Sequence, residues 1–258
     1  MGQSLEGQVA LVTGASGGLG AHFARVLAAE GASVALAARR LDRVQSLAQA
    51  LTAEGHRAIA IRLDVADADA VGPAIDEVEA ALGPLSILVN NAGVGGEGLA
   101  LEVSIEDWDN TFTVNVRGTF VAAREAAKRM LASGVAERGE ARILNIASIA
   151  SHTVLPGLSA YCASKAAVAM MTQGLAREWA RRGIAVNALC PGYIDTDINT
   201  TWWPTEGGQR QLKSFPRRRL MDASDLDAAL LMLVGPAARA ITGSIVTVDD
   251  GQSLPGGG

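Results

Sequence analysis

Short apolar runs alternate with amphipathic segments along almost the whole chain. The apolar runs, each long enough for one buried strand, lie at 8–12, 33–38, 58–63, 85–89, 141–146, 184–189 and 244–248. The segments between them repeat their apolar residues at helical spacing, as Phe23, Val26 and Leu27 do. Such alternation predicts an α/β fold with a doubly wound parallel sheet of seven strands and right-handed crossovers.

The predicted helices cover 21–30, 42–54, 67–82, 105–133, 161–181 and 225–233. No linker or repeat interrupts the alternation, so we expect one dinucleotide-binding and catalytic domain over 1–258. Only 194–220 departs from the pattern. Loops of this length in compact domains are usually lids or binding elements, or else disordered. We interpret this stretch as a substrate-loop insert within the domain.

Composition narrows the class of protein. The 258 residues are 49% hydrophobic, which is enough for a full core, and the net charge of -5 disfavours nucleic acid or an anionic membrane as a partner. No apolar run reaches the roughly 18 residues of a membrane span, and the polar start does not resemble a signal peptide. Two cysteines cannot form a disulfide scaffold or a four-cysteine zinc site. We therefore expect a cytoplasmic protein without a structural metal.

A glycine-rich turn, Thr13-Gly14-Ala15-Ser16-Gly17-Gly18-Leu19-Gly20, joins the first predicted strand to the first predicted helix. Glycines at such a turn let the backbone approach a pyrophosphate, whose charge is met by the helix N-terminus. A turn without a ligand is the simpler interpretation. The strand-turn-helix context favours a dinucleotide.

The spacing Thr-Gly-x-x-x-Gly-x-Gly, together with Asn90-Asn91-Ala92-Gly93 after the fourth strand, resembles the short-chain dehydrogenase/reductase family. The resemblance extends from Gly7 to Gly251 and implies a Rossmann-type domain. It also implies a set of cofactor-binding residues in the glycine turn, after four of the strands and on one helix: Gly14, Ser16, Gly18, Leu19, Gly20, Arg39, Arg40, Asp64, Val65, Asn91, Ala92, Gly93, Tyr161, Lys165, Pro191, Gly192, Ile194 and Thr196.

The end of the second strand indicates which dinucleotide binds. An NAD site commonly has an acid there for the ribose 2′-hydroxyl, whereas this chain has Arg39 and Arg40. Arginines suit a 2′-phosphate, so NADP(H) is favoured, although solvated loop arginines would leave NAD(H) open. Asp64 resembles the residue that contacts adenine in relatives, and its alternative is a cap on the next helix.

Tyr161 and Lys165 are four residues apart and therefore share one face of a predicted helix. A free tyrosine has a pKa of about 10, which a nearby lysine lowers. Ser148 follows the fifth strand, where its hydroxyl could stabilise negative charge on a substrate oxygen. The resemblance implies that these residues and Asn115 form a catalytic tetrad in which Asn115 holds a water. Asn115 could also bridge helix backbone.

The substrate site is the least readable part of the sequence. His152, Leu155, Tyr193 and Trp202 are candidate pocket residues, and they suggest a pocket that is not wholly polar. His152 could equally be a surface residue, and Trp202 could pack the insert onto the body. Arg217-Arg218-Arg219 could meet an acidic substrate or remain a solvated charge run.

These residues predict an NADPH-dependent oxidoreductase that interconverts a ketone and a secondary alcohol, with Tyr161 as the proton donor. The alternatives are a 3-oxoacyl-thioester reductase, an NAD-linked secondary alcohol dehydrogenase, and a dinucleotide-binding sensor without activity. The resemblance also implies a homotetramer in which helices 105–133 and 161–181 pair between subunits. Alanines at 122–123, 126–127 and 166–167 would permit close packing there, or could pack internally.

Overall fold

The computed structural model describes residues 4–96, 98–194 and 201–254. Seven strands form one parallel sheet in the order β3-β2-β1-β4-β5-β6-β7. Their bounds are β1 Val9–Thr13, β2 Ser33–Ala38, β3 Ala58–Arg62, β4 Ile87–Asn90, β5 Ala141–Ile146, β6 Ile184–Pro191 and β7 Ile245–Val248. The chain runs outwards from β1 to β3 and then returns to place β4 on the other side of β1. This order confirms the predicted doubly wound α/β fold.

Eight α-helices connect and flank the strands within the described part of the chain. They are α1 Gly18–Ala29, α2 Leu41–Ala53, α3 Ala68–Leu82, α4 Ile105–Phe112, α5 Thr119–Ala132, α6 Ser159–Trp179, α7 Glu206–Ser214 and α8 Asp227–Val234. Apolar side chains of α3, α5 and α6 pack on one face of the sheet, and those of α1, α2 and α8 pack on the other. Phe23 and Leu27 of α1 are fully buried. Each such side chain contributes about 1.5–3 kcal/mol.

Alternate residues of the strands enter the two cores. In β1, Val9 and Leu11 face one core while Ala10 and Val12 face the other. A strand buried on both faces reads as a continuous apolar run, which is why the sequence shows the strands so plainly.

Among the boundaries that differ from the sequence prediction, two differ because of contacts between distant parts of the chain. The helix predicted over 105–133 contains a π-helical turn, Thr113–Gly118, between α4 and α5. Its Asn115 amide bonds to the loop after β4, a long-range contact that periodicity does not show. The strand predicted to stop at 189 continues to Pro191, because β7 pairs with it as far as Pro191↔Val248.

The insert after β6 contains structure of its own. Helix α7 lies within it and is capped by Thr205, whose Oγ1 accepts from Gly208 N at 3.0 Å. Trp203 is buried and packs with Tyr193 and Phe215, at ring-centroid distances of 5.4 and 6.3 Å. This aromatic contact holds the insert against the end of β6.

Candidate active site

The glycine turn between β1 and α1 is tightly built. Gly14 has φ +69°, a left-handed conformation that favours glycine. A Cβ on Gly20 would lie 2.5 Å from both Gly14 O and Asn91 Nδ2. The turn therefore has no room for side chains at these positions.

Thr13 joins the turn to the end of β4. Its Oγ1 accepts from the backbone N–H groups of Asn91 and Ala92, both at 3.0 Å. The Asn91 side chain adds two hydrogen bonds, since its Nδ2 donates to Thr13 O at 3.0 Å and to Gly14 O at 3.3 Å. The carboxyl ends of the two central strands are thus fixed at the point where the strand order reverses, which is where open α/β sheets bind ligands.

The turn fits a dinucleotide. Gly17 supplies no side-chain cap to α1, so the first backbone N–H groups of this helix face outwards without a capping side chain. A Cβ at Gly17 or Gly18 would meet nothing within 4 Å, so the space above the turn is open. Free helix N–H groups beside an open backbone cradle suit a pyrophosphate.

Arg39 and Arg40 are exposed after β2, and Arg40 Nη2 donates to Ser16 Oγ at 3.1 Å. One arginine of the predicted pair is thus held beside the glycine turn. Asp64 accepts from Ala66 N at 3.0 Å through Oδ1. The residue that caps α3 is Asp67, so the interpretation of Asp64 as that cap is wrong.

The remaining residues of the predicted cofactor set lie along the same ends of the strands. Val65 is buried, and its backbone O would be 2.9 Å from a Cβ on Gly118. Leu19 is partly buried in the core under α1. Pro191 ends β6, Ile194 forms a bridge with Met221, and Thr196 lies outside the described residues.

Lys165 is buried, and its Nζ donates to the backbone carbonyl of Ile146 at 2.8 Å. Burial lowers the pKa of Lys165 from its usual 10.5 to about 8. The ammonium lies 5.6 Å from the centroid of the Tyr161 ring. A Cβ on Gly93 would be 3.6 Å from the ammonium, so this glycine leaves it room.

Tyr161 lies in the first turn of α6, with Ser148 in hydrogen-bond contact. Burial raises the pKa of Tyr161, the hydrogen bond with Ser148 lowers it in part, and neighbours that include Tyr193 raise it further. The net shift is therefore opposite to the one expected from the nearby Lys165, because desolvation dominates. The phenol is held in its protonated form at neutral pH.

The side chain of Asn115 uses its oxygen and both of its amide hydrogens in hydrogen bonds. Its Oδ1 accepts from Val94 N at 2.8 Å, and its Nδ2 donates to Val94 O at 2.9 Å and to Ser164 Oγ at 3.0 Å. Its backbone O accepts from Thr119 Oγ1 at 2.8 Å. The amide therefore joins the backbone of the loop after β4 to a side chain of α6, rather than bridging helix backbone as the second interpretation expected.

The segment after β6 is clamped by a residue of the loop after β7. Gln252 accepts from Tyr193 N at 2.6 Å and donates to Tyr193 O at 3.3 Å. A Cβ on Gly192 would lie 2.5 Å from Gln252 Oε1, so glycine is required for this approach.

The four predicted pocket residues fall into two groups. His152 and Leu155 line an open cavity of about 410 Å³ beside α6, whose walls are mainly apolar. Tyr193 and Trp202 do not line it, and none of the four tetrad residues does. Trp202 is half exposed and donates from Nε1 to Gln211 Oε1 at 2.9 Å.

Arg217 and Arg219 are paired within the chain. Arg217 Nε and Arg219 Nε each lie 3.0 Å from Asp250, and Arg219 Nη2 lies 3.4 Å from Asp225. Arg217 and Arg218 are exposed, which agrees better with a solvated charge run than with a substrate site. The arginines tie the insert to the loop after β7.

The sequence patterns do not identify four residues of the site: Val94, Ser151, Ser164 and Gln252. Ser151 Oγ donates to Lys165 O at 2.9 Å, and Ser164 links Asn115 to α6. Thr13 could have been identified from the sequence, because it is the first residue of the glycine pattern. The others act through contacts with residues that are distant in the chain, and no local pattern marks them.

Among the described residues, no helix is long and apolar enough to cross a membrane. In that same part of the chain, His, Cys, Asp and Glu form no group of three that could hold a metal ion.

Fold and site together define a dinucleotide-binding α/β protein, and comparison with known proteins identifies its family. The family model for short chain dehydrogenases matches residues 8–207, so the chain belongs to the short-chain dehydrogenase family.

Similar proteins span nearly the full length of the chain. D-threitol dehydrogenase of Mycolicibacterium smegmatis is 38% identical over 97% of this chain and 94% of its own. Galactitol 2-dehydrogenase (L-tagatose-forming) of Cereibacter sphaeroides is 40% identical over 97% and 96%. The structure of a gluconate 5-dehydrogenase from Burkholderia cenocepacia, in complex with NADP and tartrate, superimposes with a TM-score of 0.92, 34% identity and 98% coverage of both chains.

Proposed function

We propose that this protein is an NADP(H)-dependent oxidoreductase that interconverts a ketone and a secondary alcohol. The observation that carries the proposal is the placement of Tyr161 and Lys165 on one face of α6, with Ser148 in contact with the phenol. These groups lie at the carboxyl ends of the strands, on the same edge of the sheet as the glycine turn. An oxidoreductase is also what the family membership supports.

Each residue of the proposed catalytic set has a role that its surroundings favour. When bound, the nicotinamide supplies or accepts the hydride. Ser148 orients the substrate oxygen, and Tyr161 donates a proton to it, since the raised pKa of Tyr161 keeps the phenol protonated at neutral pH. Lys165, with a pKa of about 8, carries its charge at neutral pH and favours transient phenolate formation. Asn115 fixes the π-helical turn against α6.

The choice of NADP(H) rests on Arg39 and Arg40, and on the contact that holds Arg40 beside Ser16. A guanidinium after β2 that lies beside a hydroxyl of the glycine turn suits a ribose 2′-phosphate. The similar gluconate 5-dehydrogenase was crystallised with NADP. The ratio of catalytic efficiencies with NADPH and NADH tests this choice.

The substrate class is tested with a panel that follows NADPH absorbance. The panel contains simple alkyl and aryl ketones, the keto forms of polyols and sugar acids, and 3-oxoacyl thioesters. The relatives suggest the second group, because their names specify threitol, galactitol and gluconate. Turnover of thioesters alone would replace the proposal with an acyl-thioester reductase. Tight NADPH binding without any turnover would favour a sensor.

We also infer a homotetramer. The predicted alanine face of α5 does not support it, because Ala122, Ala123, Ala126 and Ala127 are buried in the chain's own core, whereas Ala166 on α6 is exposed. Support comes instead from large apolar side chains left exposed on α4, α5 and α6: Ile105, Trp108, Phe120 and Met170. Light scattering of the purified protein tests the inference, and a monomer would refute it.

A further inference from the structure

Ser164 occupies a buried junction that the tetrad does not include. Its side chain is completely inaccessible to solvent. Its hydroxyl donates to the backbone carbonyl of Tyr161 at 2.7 Å and accepts from Asn115 Nδ2 at 3.0 Å. A serine that bonds only to its own helix is common and has little consequence. The bond from Asn115 makes this one different, because it joins two elements of the proposed active site.

The junction spans three segments of the chain. Asn115 uses its other amide contacts to hold Val94 by both backbone groups, at 2.8 and 2.9 Å. The Ser164 hydroxyl, which accepts from Asn115, in turn donates to the carbonyl of Tyr161 in the first turn of α6. The loop after β4, the π-helical turn and the catalytic turn of α6 are thus connected through one hydroxyl.

We propose that Ser164 is a positioning residue for the reaction, which sets the orientation of Tyr161 and Lys165 through its hydrogen bonds to Asn115 and to the Tyr161 carbonyl. This inference rests on the proposed function. Both Asn115 Nδ2 hydrogens are used, one by Val94 O and one by Ser164 Oγ. Removal of the Ser164 hydroxyl leaves a buried N–H without its acceptor, and the π-helical turn and α6 lose their polar connection.

The test compares Ser164→Ala with Ser133→Ala. Ser133 also donates to a helix carbonyl, Arg129 O at 2.8 Å, but lies at the end of α5 away from the site. We expect Ser164→Ala to fold and to bind NADPH as the wild type does. Its kcat should fall about tenfold with little change in KM, since small misplacements of reacting groups are costly in rate. Ser133→Ala should retain the wild-type kcat.

A spectroscopic measurement separates positioning from mere stability. The chain has two tyrosines, so in a Tyr193→Phe background the absorbance change of phenol ionisation reports Tyr161 alone. Ser164→Ala in that background should raise the pKa of Tyr161, because the phenol loses its alignment with Ser148, whose hydrogen bond lowers this pKa. Ser164→Thr, which keeps the hydroxyl, should restore both the ionisation and the kcat.

The ionisation measurement needs no substrate. If the wild type reduces nothing in the panel, the proposed function fails, while the titration still decides the role of Ser164. An unchanged Tyr161 ionisation and an unchanged kcat in Ser164→Ala would overturn the proposal. A lower melting temperature, with the Tyr161 ionisation and kcat both unchanged, would show that the hydroxyl contributes to stability alone. This result would also overturn the proposal.

Discussion

Lys165 points its ammonium at the backbone carbonyl of Ile146, at 2.8 Å, and meets no carboxylate there among the described residues. A buried cation satisfied by a neutral acceptor still lacks part of the solvation that water provides. The consequence is a lysine whose charge costs free energy in the folded state, and this cost can be measured.

Replacement of Lys165 by Met should change how stability depends on pH. Below pH of about 8, Lys165 is charged in both states and its burial cost is fully present. Between about pH 8 and 10.5 the folded chain releases this proton before the unfolded chain does, so stability rises with pH. A shift from 10.5 to about 8, at about 1.4 kcal/mol per pKa unit, allows a gain of about 3 kcal/mol.

Urea unfolding of the wild type and of Lys165→Met across this pH range measures that gain as a difference between the two proteins. Titration of other groups affects both proteins and therefore cancels. Parallel stability curves would show that burial does not shift the pKa of Lys165 in the folded chain.

Replacement of Tyr161 by Phe should remove turnover and leave NADPH binding largely intact. Loss of a general acid lowers rates by about a hundredfold or more. Ser133→Ala, which removes a hydroxyl at the end of α5 away from the site, is the control for a general effect of losing a hydroxyl. Stopped-flow kinetics and NADPH fluorescence give the two readouts. Near-normal turnover in Tyr161→Phe would refute its assignment as the proton donor.

Replacement of Arg40 by Gln should weaken NADPH binding about tenfold, the usual size of one charge-assisted hydrogen bond to a phosphate. NADH binding should change little, because NADH lacks the 2′-phosphate. Arg57→Gln removes an exposed arginine that donates to Ala81 O instead, and serves as the control. Equal losses for NADPH and NADH would place Arg40 outside the 2′-phosphate site.

Replacement of Gly20 by Ala should disrupt dinucleotide binding, whereas Gly17→Ala should not. A Cβ at Gly20 would meet Gly14 O at 2.5 Å, so the turn must shift. A Cβ at Gly17 meets nothing within 4 Å, and its extended backbone, with φ 168°, accepts any residue. Calorimetric titration with NADPH compares the two variants. Similar NADPH affinities would show that the backbone of the turn can shift to accommodate the added methyl group.

The sequence predicts most of the fold because its signals are local. Each strand is buried on both faces and so appears as an apolar run, and Gly31 closes the first helix where periodicity ends. The glycine turn and the Tyr161–Lys165 spacing are local patterns too. Their resemblance to a family supplied the rest of the candidate site.

The parts that escaped prediction depend on contacts between distant residues. The π-helical turn contains Asn115, whose side chain pairs with Val94, 21 residues away. The clamp of Gln252 on Tyr193 joins positions 59 residues apart. The direction of the Tyr161 pKa shift depends on burial, whereas the sequence shows only the nearby lysine. Periodicity and spacing contain none of this information.

The strand order also has a consequence for how the protein is made. Strands β1, β2 and β3 are neighbours in the sheet and are complete once residue 62 has been synthesised, so the glycine turn and Arg40 can be assembled early. The segment that holds Tyr193 is different, since its clamp, Gln252, lies 59 residues further along the chain. During synthesis the three strands beside the glycine turn therefore leave the ribosome well before the segment around Tyr193 can be clamped.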